Sequence, residues 1–158
     1  MPETPKAAFA TLKTLLTTQH LAVVATLQDG HPYTSLVAFV ASDDLRHVAF
    51  VTRRESSKFR NLTTCPEVSL LVDSRTRSAE DLTAGVAVTA LGRAAEIVDK
   101  ADSALFAAFL RTHPHLEAFA RAPATALCGV EVQTYLLVTR FQDVAEMKIG
   151  DGAGSDFI

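Results

Sequence analysis

The sequence contains no tryptophan, only two cysteines and two methionines, and no long apolar run. Cys65 and Cys128 fit no CxxC pattern, which excludes a disulfide-rich scaffold and favours a reduced, cytoplasmic setting. A membrane-spanning helix needs roughly 18 consecutive apolar residues, and no stretch of the sequence approaches that length. We therefore expect no membrane-spanning helix. The opening residues MPETPKAAF lack a basic region followed by an apolar stretch, so we expect no secretory signal.

An excess of positive charge is also missing. The 15 lysines and arginines are outnumbered by 18 aspartates and glutamates, which gives a net charge of -3, so we expect no nucleic-acid-binding surface. The composition, 48% hydrophobic and 21% charged, excludes an intrinsically disordered chain. A length of 158 residues suits one domain and is short for two, so we expect a single domain over residues 1–158.

Turn signals and apolar periodicity predict a mainly β chain with flanking helices. The Asp29-Gly30 pair is the strongest hairpin signal, and it separates two apolar strands. The predicted strands are residues 21–27, 32–41, 46–52, 68–72, 85–98 (with a bend at Gly92), 127–141 and 143–149. The predicted helices are residues 5–18, residues 55–64, and a segment that is capped by Asp99 or Asp102 and ends near Pro114. Residues 1–19 therefore hold the N-terminal helix, and residues 150–158 form a Gly-rich flexible tail. We expect the six or seven antiparallel strands to form a small barrel.

Two of these strands are apolar on both faces, in residues 36–41 and 48–51. An antiparallel strand with one face in water alternates between apolar and polar residues, so both faces of these strands must be covered. The barrel interior covers one face. A second copy of the chain in a homodimer is the expected cover for the other face, and the two helices of the same chain are the alternative.

The segment from residue 51 to residue 62 has the composition of a phosphate site. A strand ends at Thr52 and a short helix begins near Ser56, and the free N–H groups at a helix N-terminus attract phosphate. The side chains that suit phosphate are those of Thr52, Arg53, Arg54, Ser56, Ser57 and Lys58. A capped helix with ordinary surface charges is an equally weighted alternative.

The order of these motifs resembles the pyridoxamine 5'-phosphate oxidase-like, FMN-binding split-barrel superfamily. The resemblance runs through the DG hairpin, HPYTSLVAF, VAFVT, the T-R-x-x-S-S-K-x-x-N-L helix start, CPEVSLLVD and VTALGRA, over residues 21–94. It implies a homodimer of split barrels with FMN at the subunit interface. It places the flavin along Ser35, Leu36, Val37 and Ala38, the ring or ribityl chain near Val51 and Thr52, and the phosphate at Ser57 and Lys58.

The sequence departs from the family at several positions. Many members have arginine where Ser57 stands, so Arg53 or Arg54 is expected to supply that charge. A glutamine that reaches the flavin from the partner chain in the oxidase would fall near Ala87. The oxidase also holds its substrate with a C-terminal Arg-x-His pair, and no histidine follows His115 here.

The motifs THPHLEAF and TYLLVTRF resemble the haem-utilisation branch more closely than the true oxidase. The resemblance therefore implies an FMN-dependent oxidoreductase that acts on an unidentified small molecule. The alternative is a haem- or flavin-binding carrier or sensor without turnover. We assign no catalytic residue, and we predict that His113, His115 and Glu117 form a helix-end turn and not a metal site. Arg140 and Phe141 are candidates for covering the flavin from the partner.

Overall fold

The computed structural model describes residues 4–140 and 142–150, which form seven β-strands and five α-helices. The strands are β1 (Leu21–Gln28), β2 (His31–Ala41), β3 (His47–Arg53), β4 (Glu67–Asp73), β5 (Ala87–Glu96), β6 (Thr125–Thr139) and β7 (Asp143–Lys148). The helices are α1 (Pro5–Thr18), α2 (Ser57–Thr64), α3 (Asp81–Ala84), α4 (Ala104–Thr112) and α5 (Glu117–Arg121), with 3-10 turns at Lys100–Asp102 and Pro114–Leu116. No helix in these two ranges is long and apolar enough to cross a membrane.

The first six strands close into an antiparallel barrel. Their order is β3-β2-β1-β4-β5-β6, and β3 also pairs with β6. Strand β7 extends the sheet along β6, where Tyr135 lies opposite Met147. This arrangement confirms the predicted mainly β barrel with flanking helices.

Two glycines stand where the backbone requires them. Asp29 and Gly30 both have positive φ angles, 51° and 79°, as a type I′ hairpin turn between β1 and β2 demands. At Gly92 the register of β5 against β6 shifts, and a Cβ atom there would lie 2.2 Å from the carbonyl oxygen of Glu131. The predicted bend at Gly92 is therefore an irregularity of the ladder where two backbones approach closely.

The barrel interior is filled by the inward residues of the strands and closed by one face of α1. Leu12 on α1 packs into the same cluster as Phe39, Phe50 and Tyr135, all of which are fully buried. The hydroxyl of Tyr135 donates to the carbonyl oxygen of Leu45 at 2.6 Å, which satisfies its polar atom inside the core.

The outward face of β3 is covered by helices of the same chain. Ala49 and Val51 pack with Phe106 and Phe109 of α4 in a second buried cluster. The alternative to a homodimer, in which helices of the same chain cover the outward face, thus holds for this strand. On β2 it holds for Val40, which is buried in the same cluster, but not for Leu36, whose outward side chain is 65% exposed.

Several details differ from the sequence predictions. Helix α4 begins after Ser103, because the residues after Asp99 form a 3-10 turn. Helix α5 was not predicted. The short helix α3 lies between the predicted strands at residues 68–72 and 85–98, where no element was predicted. Residues 151–158 of the predicted tail, and Phe141, lie outside the described residues.

Candidate functional site

The barrel opens where β2 leaves β3. The two strands pair only over Phe39–Ala41 against Val48–Phe50, whereas β1 pairs with residues 31–38 of β2 on its other side. Beyond Phe50, strand β3 continues to pair with β6. In the described part of the chain, the edge of β2 over residues 31–38 therefore has no strand partner on the β3 side. We call this opening the split.

Backbone groups of β2 are directed toward the split. The N–H of Phe39 donates to His20 on the β1 side, and the N–H of Ser42 donates to His47 on the β3 side. Because bonding direction alternates along an antiparallel strand, Leu36 and Ala38 direct their N–H and C=O groups toward β3. These are the backbone donors and acceptors at the open edge.

The side chains of the four predicted β2 residues divide between the two faces. Ser35 and Val37 lie opposite Val24 and Ala22, so they face the barrel interior. Leu36 and Ala38 face outward. The predicted strand therefore offers backbone groups and two apolar side chains outside the barrel.

A hydroxyl and lysine cluster lies at the end of β3. The Thr52 hydroxyl is 3.0 Å from Ser56 Oγ, and Lys58 Nζ donates to Thr52 Oγ1 at 3.2 Å. Ser56 also caps α2, because its Oγ accepts from the N–H of Phe59 at 3.3 Å. Lys58 forms no ion pair within the described ranges, so its charge is available at the start of α2.

The two arginines expected to replace the family arginine are arranged differently. Arg54 turns away from α2: its Nε donates to Glu96 Oε1 at 2.9 Å, and its Nη1 donates to the Pro123 carbonyl. Arg53 is largely exposed, with Glu55 Oε1 at 3.9 Å. The structure therefore does not bring Arg54 together with Ser57 and Lys58.

A third arginine, which was not among the predicted phosphate residues, lies against Ser57. Arg60 Nη2 donates to Ser57 Oγ at 3.3 Å, and its Nη1 donates to the Glu55 carbonyl at 2.7 Å. Residues three apart on a helix are neighbours, so the spacing of Ser57 and Arg60 is the signal that could have found this pair. Arg60 places a guanidinium beside the position where the family arginine is missing.

Helix α2 is held against the barrel by a buried polar contact. Asn61 Nδ2 donates to Thr26 Oγ1 at 3.0 Å, and the Thr26 hydroxyl lies 3.4 Å from the Tyr33 carbonyl. Asn61 and Thr26 are both buried. This contact fixes the helix relative to the β1–β2 hairpin, and thus fixes where its N-terminus points.

An outward apolar face adjoins the split. Val23 lies opposite Leu36 on β2 and opposite Leu71 on β4, so the three side chains form a row on the outside of the sheet. Leu21 and Leu91 lie on the same face, and the four leucines are between 38% and 65% exposed. We call these five residues the outer apolar face.

The histidines do not assemble a metal centre. His113 is buried at the end of α4, with its Nε2 2.8 Å from the Phe39 carbonyl oxygen and its ring packed on Phe109. His20 and His115 contact it edge-on. Within residues 4–140 and 142–150, no group of three His, Cys, Asp or Glu side chains is arranged to hold a metal ion.

A separate cavity of about 570 Å³ lies on the outside of β5 and β6. Its polar side chains include His47, Arg93 and Glu131, and Arg93 is paired with Glu67. None of the predicted site residues lines it. We therefore place the candidate site at the split and not in this larger cavity.

The fold is a six-stranded barrel with a split between β2 and β3, and a lysine cluster adjoins the split. These features define a small split-barrel protein. The chain belongs to the pyridoxamine 5'-phosphate oxidase family, whose sequence model matches residues 9–139. No curated protein matches the chain.

Solved structures share the fold at low sequence identity. A haem-binding protein from Mycobacterium smegmatis is 20% identical with a TM-score of 0.80, covering 92% of this chain and 59% of its own. The haem storage protein HutZ from Vibrio cholerae is 18% identical, with a TM-score of 0.66 and coverage of 83% and 93%. A FAD-binding protein from Mesorhizobium loti is also 18% identical, with a TM-score of 0.66 and coverage of 82% and 90%. This chain thus spans about three-fifths of the mycobacterial protein.

Proposed function

We propose that the chain binds FMN at the split and acts as a flavin-dependent oxidoreductase on a small molecule. The observation that carries this proposal is the position of Lys58, Thr52 and Ser56 beside the open edge of β2. Family membership supports a flavin, and the helix start supports a phosphate-bearing one.

The residues present fit the chemistry of FMN. A phosphate at the start of α2 would receive the free N–H groups, the Lys58 ammonium and the Ser57 hydroxyl. The polar edge of an isoalloxazine ring requires donors and acceptors next to an apolar wall, which Leu36 and Ala38 supply on β2. Arg60 adds the positive charge that serine at position 57 does not.

We further propose that a second copy of the chain covers the outer apolar face. Leu36 belongs both to this face and to the predicted flavin site. A partner packed on the face would therefore exclude water from the flavin ring as well as from the leucines. The proposed assembly is a homodimer with FMN at the interface.

Bound FMN supplies hydride or single-electron transfer, which are reactions that side chains cannot perform. The residues of this chain bind the phosphate, orient the ring and exclude water. Burial raises the pKa of the Cys128 thiol to about 12, so this cysteine is protonated and is not a nucleophile. We therefore assign the redox chemistry to the cofactor and not to Cys128.

Titration of the purified protein with FMN tests the proposal. We expect saturable binding, and we expect the bound FMN to be reduced by NADH, NADPH or dithionite and reoxidised by an acceptor. Absence of binding at high micromolar FMN would contradict the proposed site. Binding without reduction by any donor would contradict the oxidoreductase assignment alone.

A haem- or flavin-binding carrier without turnover is the second candidate. The similar structures described as haem-binding and haem storage proteins favour it. A haem titration followed by the Soret band separates the two candidates. If haem binds saturably and added FMN does not displace it, the carrier is favoured. If excess haem causes no Soret shift, the flavoprotein is favoured.

A further inference from the structure

A second cavity lies directly beside the proposed phosphate position. It measures about 330 Å³, within the range of small-molecule sites, and lies between α2 and the β1–β2 hairpin. Its lining comprises Leu27, Gln28, Asp29, Ser57, Arg60, Asn61 and Thr64. We call it the tail cavity.

The residues of α2 in the tail cavity form one face of the helix. Ser57, Arg60, Asn61 and Thr64 are spaced at three-, four- and seven-residue intervals, which places them on the side that faces the hairpin. Ser57 is the first residue of the helix, so it lies both at the proposed phosphate position and at one side of the cavity. A ligand that passes Ser57 would therefore enter the tail cavity.

The polar groups of the tail cavity suit a second phosphate and a ribose. Arg60 uses two N–H groups on Ser57 and Glu55, and a guanidinium carries five, so donors remain for an anion. Asp29 is exposed in the hairpin turn, and a carboxylate accepts hydrogen bonds from the vicinal hydroxyls of a ribose. Leu27 supplies an apolar surface, 40% exposed, on which a base can pack.

We propose that the tail cavity binds the adenylate half of FAD, so that the site accepts the dinucleotide flavin as well as FMN. This inference rests on the proposed flavin site. Arg60, which lies beside the first phosphate, would bind the second phosphate with its remaining N–H groups. Asp29 would bind the ribose hydroxyls, and the adenine ring would pack on the surface beside Leu27.

Binding of riboflavin, FMN and FAD to flavin-free protein, measured by equilibrium dialysis, tests this inference. Thr64→Phe fills the cavity, and Thr63→Phe is its matched control. Both threonines are exposed at the end of α2 and donate to the Arg60 carbonyl, at 3.0 and 2.9 Å, but only Thr64 lines the cavity. Asp29→Asn removes the negative charge and one of the two acceptor oxygens, while keeping a residue that tolerates the positive φ angle of the turn.

We expect the wild-type protein to bind FAD at least as tightly as FMN. Thr64→Phe should weaken FAD by about tenfold or more and leave FMN unchanged, whereas Thr63→Phe should change neither. Asp29→Asn should weaken FAD alone. Two results would overturn the inference while the proposed FMN site stands. One is a wild-type protein that binds FMN but excludes FAD, and the other is a Thr64→Phe variant with unchanged FAD affinity. Failure to bind FMN would overturn both.

Discussion

Lys58 Nζ lies 3.2 Å from Thr52 Oγ1, so the first turn of α2 is joined to the end of β3 beside the split. Lys58→Ala should weaken FMN binding by about tenfold to a hundredfold, because a hydrogen bond to a charged phosphate contributes about 1.5–3 kcal/mol. Riboflavin lacks the phosphate and should bind the variant and the wild type equally. Flavin titrations measure both affinities. Equal FMN affinities would show that the phosphate lies elsewhere.

Asn61→Ala should destabilise the fold by about 1–3 kcal/mol, because it leaves the buried Thr26 hydroxyl without its donor. Urea denaturation measures the free energy of unfolding. In the Thr26→Val background the same substitution should cost less, since the partner is already gone. Additive losses in this double-mutant cycle would mean that the two side chains are not coupled.

Stability should fall below about pH 6.5 because of His113. The Phe39 carbonyl can only accept, so Nε2 of His113 carries the proton of the neutral ring. Burial lowers the pKa of His113, and the neighbouring His20 and His115 lower it further. The unfolded chain therefore binds more protons than the native one as the pH falls through the ordinary histidine range, and the free energy of unfolding decreases.

His113→Gln removes this titration, so the variant should lose less stability than wild type between about pH 7 and pH 5. Urea denaturation across that range provides the measurement. His31→Gln, at an exposed position in β2, is the matched control for the substitution itself. A His113→Gln variant with the full wild-type slope would assign the pH dependence to other groups.

Gly92→Ala should destabilise the barrel by about 2 kcal/mol or more, because its Cβ would lie 2.2 Å from the backbone carbonyl oxygen of Glu131. A backbone atom cannot move aside as a flexible side chain can, so the β5–β6 ladder must shift. Thermal denaturation provides the test, with Gly30→Ala as a comparison in which the strain comes from φ and no atom lies near the new Cβ. A Gly92→Ala variant as stable as wild type would contradict the close approach.

Local sequence signals were sufficient for much of the fold. Helix α1 spans the predicted residues 5–18, and the Asp29-Gly30 pair predicted the hairpin that the positive φ angles confirm. Helix α5 was missed because it has five residues, too few for a periodic pattern, and is stabilised by tertiary contacts such as the buried Ala120.

Local signals were less informative about the site. The sequence placed Thr52, Ser56 and Lys58 in one segment, and their hydroxyl and ammonium groups lie together. It could not show that Arg54 is held by Glu96, which is 42 residues away. The direction of a long side chain depends on partners that only the folded chain brings near, so Arg54 could not be told from Arg60 by composition.

The central claim is that the flavin lies at an interface between two copies of the chain, and sedimentation of flavin-free and FMN-loaded protein at decreasing concentration tests it most directly. If each FMN contacts both chains, it stabilises the dimer by about 2.7 kcal/mol per site at a hundredfold excess over the dissociation constant.

We predict that FMN sediments with the dimer and that the FMN-loaded dimer dissociates only at lower protein concentration. Leu71→Asp, on the outer apolar face but outside the predicted flavin site, should give a monomer that loses FMN. Val98→Asp, at a 78% exposed position that is not part of that face, should behave as wild type. A monomer that holds FMN with wild-type affinity would contradict the interface site.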